Sequence, residues 1–215
     1  MTNKNYHDMK KLLAIFLISH GLMAQSISPD LQNPELWRLQ DRHLTNTENG
    51  GVRLDVPNPD DGLLVLKDYD FKNGTIELDV KGQDKPGASF VGIAFNIQNE
   101  EVFETFYLRP FNFKNEARKT HSMQYTFSPV YDWRVLRENF PGKYENELIP
   151  APDPNAWQHV KLLIQNGFIK AYVNHAKQPN LMVESLNEIG HGCIGLWTGS
   201  GSIAEFKNLK ITPEK

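Results

Sequence analysis

The sequence has a single cysteine in 215 residues, Cys193, so no intramolecular disulfide can form and the fold must be held by its core. It has no basic stripe. Its 23 Lys and Arg stand against 26 Asp and Glu, a balance that argues against a nucleic-acid partner, whose phosphates need neutralising. It has no Gly-x-Ser-x-Gly elbow, phosphate loop or dinucleotide fingerprint, which removes common nucleophile and nucleotide chemistries. Metal-ligand spacing is nearly absent too. His191 and Cys193 form the one close pair, and two ligands do not make a zinc site. No cofactor is called for, although "NPDDG" at residues 58–62 offers hard oxygen ligands for calcium on what can equally be a plain turn. No segment after the first two dozen residues sustains a helical period.

Those first residues form a distinct unit. A basic lead-in, "MTNKNYHDMKK", precedes the apolar stretch "LLAIFLISHGLMAQ", which is too short to cross a bilayer comfortably and is interrupted by His20 and Gly21. The pattern is that of a secretory signal peptide over residues 1–24. A mature chain is then expected to begin at Gln25, with residues 25–215 forming one domain, secreted or periplasmic and without a membrane span. No cysteine sits at the cleavage region to carry a lipid anchor. Removing the leader takes Lys4, Lys10 and Lys11 but only Asp8, leaving the remainder mildly acidic.

The remainder consists of short alternating runs broken by Gly, Pro, Asn and Asp, the mark of an all-β domain. Eleven strands are expected, enough for a two-sheet sandwich rather than a small barrel. "KNGT" at 72–75 and "QNGF" at 165–168 read as hairpin turns, since Asn-Gly tolerates positive φ. Residues 128–157 break the rhythm with five prolines, mixed charge and the aromatics Tyr131, Trp133, Phe140 and Tyr144. This long irregular loop, with at most a single helical turn near "WRVLREN", reads as a binding loop.

Alternation splits each strand into two faces. In "SFVGIAFNIQ", Val91, Ile93, Phe95 and Ile97 form the core side, opposite a small, polar set. In "VFETFYLR" the core side is Val102, Phe106 and Leu108 with Glu104 among them; Phe103, Thr105, Tyr107 and Arg109 face the other way. Leu162, Ile164, Val173, Leu196 and Phe206 complete the expected core. A flat ring followed by a forked donor suits the wall of a sugar site. Pro110 cannot donate a ladder hydrogen bond, so the chain should leave the sheet there and lift Asn112 beside Arg109. The alternative for "RPFNF" is a structural corner in which Arg109 needs only a carboxylate such as Glu138 or Glu145. Gln124 is expected to face outward from "HSMQYTF". Glu77 and Asp79 share a strand face at a spacing compatible with glycosidase carboxylates, or form an ordinary solvated face.

The order of "GLLVLKDYDFKNGTIELDVKG", "SFVGIAFNIQ", "FYLRPFNF" and the closing "GCIGLWTGSGSIAEFKNLKI" resembles the concanavalin A-like lectin/glucanase superfamily. The likeness is nearest to its secreted laminin-G-like and 3-keto-disaccharide hydrolase-type domains. The resemblance implies a jelly-roll sandwich of two antiparallel sheets whose concave sheet binds a glycan. It also implies a test. Laminarinase-type members carry Glu-x-Asp-x-x-Glu on a concave strand, and here the counterpart beginning at Glu104 continues with Phe106 and Arg109, so that catalytic set is absent.

Three functions stay open. In the first, a secreted carbohydrate-binding domain recognises a polysaccharide or oligosaccharide, with Tyr107 and the loop aromatics Tyr131 and Trp133 at the sugar rings. Arg109, Asn112 and Gln124 then bind hydroxyls or a uronate. In the second, a glycan-cleaving enzyme uses an atypical acid/base pair drawn from His121, Asp132, Glu138 and Glu145. In the third, the chain is an envelope interaction protein with an unused cleft. The missing carboxylate set favours the first.

Overall fold

The computed structural model describes residues 25–55 and 60–214; the expected signal peptide lies outside the described residues. The chain forms a concanavalin A-like jelly roll of two antiparallel seven-stranded sheets. The front sheet runs β1 (Trp37–Gln40), β4 (Gly62–Leu66), β13 (Cys193–Thr198), β6 (Val91–Ile97), β7 (Phe103–Leu108), β8 (Met123–Ser128) and β9 (Glu145–Asn146). The back sheet runs β12 (Leu181–Glu184), β11 (Phe168–Val173), β10 (Gln158–Gln165), β5 (Gly74–Lys81), β14 (Ala204–Pro213), β3 (Val52–Asp55) and β2 (His43–Asn46).

The alternating sequence explains the layering. In β5, Ile76, Leu78 and Val80 point into the sandwich while Thr75, Glu77, Asp79 and Lys81 point out. Of the residues expected in the core, Val91, Ile93, Phe95, Phe106, Leu108, Leu162, Ile164, Val173, Leu196 and Phe206 are there, none more than 3% exposed, while Val102 is only half-buried. Gln165–Phe168 closes the β10–β11 hairpin, with Asn166 and Gly167 both at positive φ. The other Asn-Gly turn is different. Residues 72–75 lead into β5 from β4, which lies in the opposite sheet, so this is a crossover and not a hairpin. There the Asn73 side-chain oxygen accepts a hydrogen bond from the Asn166 amide, tying the two turns together.

Two face assignments change. Asn96 adopts φ 50°, and the β13–β6 ladder slips register between Cys193 and Gly195. The bulge turns Ile97 out of the core onto the front sheet's outer face, beside Leu63, Val65, Ala94, Phe103, Tyr107 and Trp197. It also turns Asn96 inward, where its side-chain N–H donates to Glu104 at 2.5 Å. Glu104 is fully buried between the sheets and also accepts from the Tyr125 hydroxyl at 2.6 Å and the Ser185 hydroxyl at 2.7 Å.

Burial pushes the Glu104 carboxyl above its ordinary value, against the pull of those donors. A group that holds its proton more tightly when folded stabilises below its unfolded pKa and loses that contribution as pH rises through the folded one. Glu104→Gln stays neutral at every pH. The melting temperature of this variant is therefore expected to gain on the parent's as pH rises from about 4 to about 7. Parallel melting curves over that range would show that the Glu104 carboxylate is ionised at no cost.

Residues 128–157 carry more regular structure than their sequence suggests. They hold a helix, α1 (Trp133–Asn139), and then β9, which pairs with β8. Asp132 starts the helix by accepting from the Arg134 and Val135 amides at 2.8 and 2.9 Å. Leu136, fully buried, pins it against the sandwich.

Candidate functional site

The outer face of the front sheet carries the expected polar strand. Tyr107 sits opposite Gly92, where an added Cβ would come within 2.1 Å of the Phe106 carbonyl and 2.6 Å of the Tyr107 backbone, so glycine lets the aromatic strand lie close. The Tyr107 ring packs 4.8 Å from Trp197 and 6.2 Å from Phe90. At 3% exposure it is part of a wall rather than an open stacking platform, and burial pushes its hydroxyl pKa up to about 12. That hydroxyl accepts from Arg109 at 2.8 Å.

Arg109 follows β7 directly and precedes a 3-10 turn, Pro110–Asn112, as the proline requires. Its guanidinium also donates to Gln124 Oε1 at 3.3 and 3.4 Å and to the His121 carbonyl at 3.2 Å. Gln124 spends its amide N–H groups on the Tyr125 and Tyr144 carbonyls. It is thus buried as a support for Arg109, and the expectation that it meets a ligand gives way to a positioning role. Asn112 donates to the His121 carbonyl at 3.0 Å, while its Oδ1 is a buried acceptor with no partner among the described residues.

Glu145, on the edge strand β9, gathers the surrounding nitrogen groups. Arg137 of α1 grips it with two hydrogen bonds of 3.1 and 2.6 Å, His121 Nδ1 lies 2.7 Å from Oε2, and Arg109 stands 3.9 Å away. The His121 contact is close but bent away from a straight hydrogen bond. Burial alone would raise the Glu145 carboxyl; the Arg137 fork and His121 outweigh it and hold the group below its ordinary value.

Two depressions open above this floor. The larger, about 480 Å³, is lined by Phe90, Arg109, Phe111, Asn112, Arg118, His121, Trp133 and Arg137, with Gly87 and Ala117. The smaller, about 250 Å³, is lined by Phe90, Phe103, Thr105, Tyr107, Thr126, Trp133 and Trp197, with Asp61, Asp132, Ser128, Gly199 and Ser200 around it. Phe90 and Trp133 belong to both, so the lobes adjoin in one cleft. Trp133 is 38% exposed and lies 4.9 to 6.0 Å from the guanidinium carbons of Arg137, Arg134 and Arg109.

Of the residues expected at the site, Tyr107, Arg109, Asn112, His121, Asp132 and Trp133 line the cleft, and Glu145 lies directly behind it. Tyr131 does not join them: it is half-buried, stacked 6.4 Å from Phe127 against the core. Glu138 is exposed on α1 and lines neither lobe. Asp132 is occupied as a helix cap. Glu77 and Asp79 stand on the back sheet's outer face with His159, whose Nδ1 is 2.9 Å from Asp79. Lys170 and Tyr172 share that remote face, so neither pair meets the cleft.

Sequence reasoning missed Trp197, Arg118, Arg137 and Asp61. Alternation from core residue Leu196 was a sufficient signal for Trp197. Asp61 has no comparable signal, since it is fixed by a hydrogen bond from the Ser200 amide at 2.8 Å across the sandwich rim. Beside it Arg42, buried, donates to the Thr198 hydroxyl and to the carbonyls of Asp41, Asp60, Thr198 and Gly199. The turn expected to offer calcium ligands falls partly on residues 56–59, outside the described residues. No group of three or more His, Cys, Asp or Glu is arranged to hold a metal among the described residues.

Residues 29–212 match the family of 3-keto-alpha-glucoside-1,2-lyase-like domains. The chain belongs to that family. No curated protein matches it. Its fold is shared by carbohydrate binding module CBM66 from Bacillus subtilis, with TM-score 0.59, 14% identity, and 82% of this chain and 95% of the module covered. The beta-glucanase of Bacillus licheniformis aligns with TM-score 0.52 and 13% identity, over 89% of this chain and 99% of the enzyme. The exoplasmic/lumenal domain of VIP36, in its Ca2+/Man-bound form, aligns with TM-score 0.59 and 12% identity, over 88% and 89%. At such identities the likeness is one of fold.

Proposed function

We propose that this 3-keto-alpha-glucoside-1,2-lyase-like domain binds a glycan across the two-lobed cleft of its front sheet, outside the cytoplasm in a secreted or periplasmic setting. The observation that carries the reading is Trp133, an exposed indole standing between two adjoining depressions with Phe90 shared by both. Adjacent sugar rings need such a divider: an apolar face for their C–H surfaces and polar groups at the floor for their hydroxyls. Arg109 and Asn112 supply that floor. The carbohydrate binding module and the Man-bound VIP36 domain of the same fold agree with this reading.

The test is a panel of neutral and acidic polysaccharides scored for retention and for release of reducing ends. Trp133→Ala is expected to weaken binding to the best ligand by roughly thirtyfold, about 2 kcal/mol, with little change in melting temperature because the ring is exposed. Binding unchanged in this variant would place the glycan elsewhere.

A second reading is supported by the His121–Glu145 contact and by the family to which the chain belongs. With Nδ1 held toward Glu145, the other imidazole nitrogen is left for the larger lobe. In a 3-keto-glucoside the carbonyl acidifies the neighbouring C2–H. A base there takes that proton, the C–H electron pair forms the C1–C2 double bond, and the C1–O bond breaks with its pair leaving on oxygen, which then takes up a proton. His121 would be the base and Arg109 the group facing the developing enolate. The product joins a C1–C2 double bond to the C3 carbonyl, so ultraviolet absorbance should grow with the parent and fail to grow with His121→Asn. Absorbance that never changes with any 3-keto-glucoside leaves binding alone as the function.

A further inference from the structure

The two lobes differ in the charged groups that line them. Arg109, Arg118, Arg137 and His121 face the larger one. The carboxylate behind them, Glu145, is already engaged by the Arg137 fork and by His121. Arg109 is the group left over. It is 4% exposed, its nearest carboxylate oxygen is 3.9 Å away, and its hydrogen-bond acceptors, Tyr107 Oη, Gln124 Oε1 and the His121 carbonyl, are all neutral. Burial pulls its guanidinium below the ordinary arginine value, and the like charge of Arg137 adds to the pull, together outweighing the opposing effects of Tyr107 and Glu145. A buried cation hydrogen-bonded only to neutral groups, with a long ion pair to a Glu145 already shared with Arg137, is costly, and an anion at the mouth of the site offsets that cost. The smaller lobe is lined by no basic side chain among the described residues. Its walls are aromatic, and its acidic groups are Asp61 and Asp132.

We propose that the ligand is an acidic glycan whose carboxylate or sulfate group enters the larger lobe against Arg109 and Arg118, while the adjacent, uncharged sugar packs in the smaller lobe on Trp133 and Trp197. This rests on the glycan-binding reading above and specifies its substrate class. The planar fork of arginine matches the paired oxygens of a carboxylate or sulfate, whereas a hydroxyl leaves the buried charge unanswered. The unpartnered Asn112 Oδ1 is an acceptor, suited to a sugar hydroxyl beside the acid. Asp61 and Asp132 disfavour a second anion in the neighbouring lobe, so the cleft suits a chain in which acidic and neutral residues alternate.

Calorimetric titration with matched pairs tests this: an oligogalacturonate against its methyl ester, and a galactan oligosaccharide sulfated on alternate residues against its desulfated form. At low salt at least one acidic member is expected to bind about tenfold or more tighter than its neutral partner, a difference of about 1.4 kcal/mol. The gap should shrink as salt is added. The pair with the larger gap identifies the anion as carboxylate or sulfate. Arg118 is exposed, so Arg118→Gln keeps the fold and should narrow the gap several-fold. Equal or tighter binding of the neutral members, or a gap untouched by Arg118→Gln, overturns the proposal. If neutral members bind and Trp133→Ala abolishes that binding, the glycan reading survives without the acidic preference. If neither these pairs nor the wider panel bind, both fall.

Discussion

Replacing Ile93 with aspartate is expected to leave no cooperatively folded protein. Ile93 lies in β6, flanked in register by Leu196 of β13 and Phe106 of β7, and is fully buried. Losing the apolar side chain costs about 2 to 5 kcal/mol by analogy with other large core truncations. Burying a carboxylate without a partner adds several kcal/mol more. Among the described residues the inner face gives it no cation, and it already holds one carboxyl, Glu104 on the adjacent strand. Domains of this size have about 5 to 15 kcal/mol to lose, so the substitution consumes most or all of it. Ile93→Val, which removes one methylene, should cost about 1 kcal/mol and still fold. Circular dichroism melts of the two variants settle the matter. A cooperative Ile93→Asp transition near the parent's temperature would mean that Ile93 does not face the core.

Why the core was legible while the site was only half so follows from what each depends on. Strands β5, β6 and β7 run six to eight residues, and although only β5 alternates in burial while β6 and β7 are covered on both faces, a period of two in side-chain type over that length identifies both strand and face. β2, β9 and β12 are two to four residues long, too short for a period to emerge, and they account for the three strands not expected. Ile97 was misplaced because a bulge resets alternation, and its one local sign, an asparagine able to take positive φ, is ambiguous by itself. The crossover at residues 72–75 shows the same limit. Asn-Gly fixes the turn, but whether the next strand pairs or changes sheets depends on the rest of the sandwich. At the site, Arg109 was found because a proline after an alternating strand forces the chain out of the sheet. Arg137 and Glu145 meet only because α1 folds back over β9, and Asp61 meets the cleft only through Ser200. Such pairings are tertiary, and no local pattern encodes them.

Arg109→Met is expected to abolish glycan binding and to lower the melting temperature by several degrees. The two effects have different origins. The structure makes Arg109 both corner and floor: it joins β7 to the 3-10 turn and also lines the larger lobe. Methionine replaces much of its aliphatic stem, but the Tyr107 hydroxyl and Gln124 Oε1 lose the donor they share. A buried polar atom left unpaired costs about 1 to 3 kcal/mol, or roughly 2 to 4 °C per kcal/mol for a domain of 150 to 250 residues. Removing the like charge beside Arg137 returns part of this, so the variant should remain folded. The ligand has no such compensation, because the fork that faces it is gone. Gln124→Leu separates the roles. It removes the support without removing the fork, so it should lower stability by a similar amount yet weaken binding only partly. A structural corner alone predicts the same fall in melting temperature for Arg109→Met but with affinity intact, and calorimetry on the purified variants at one salt concentration distinguishes the two.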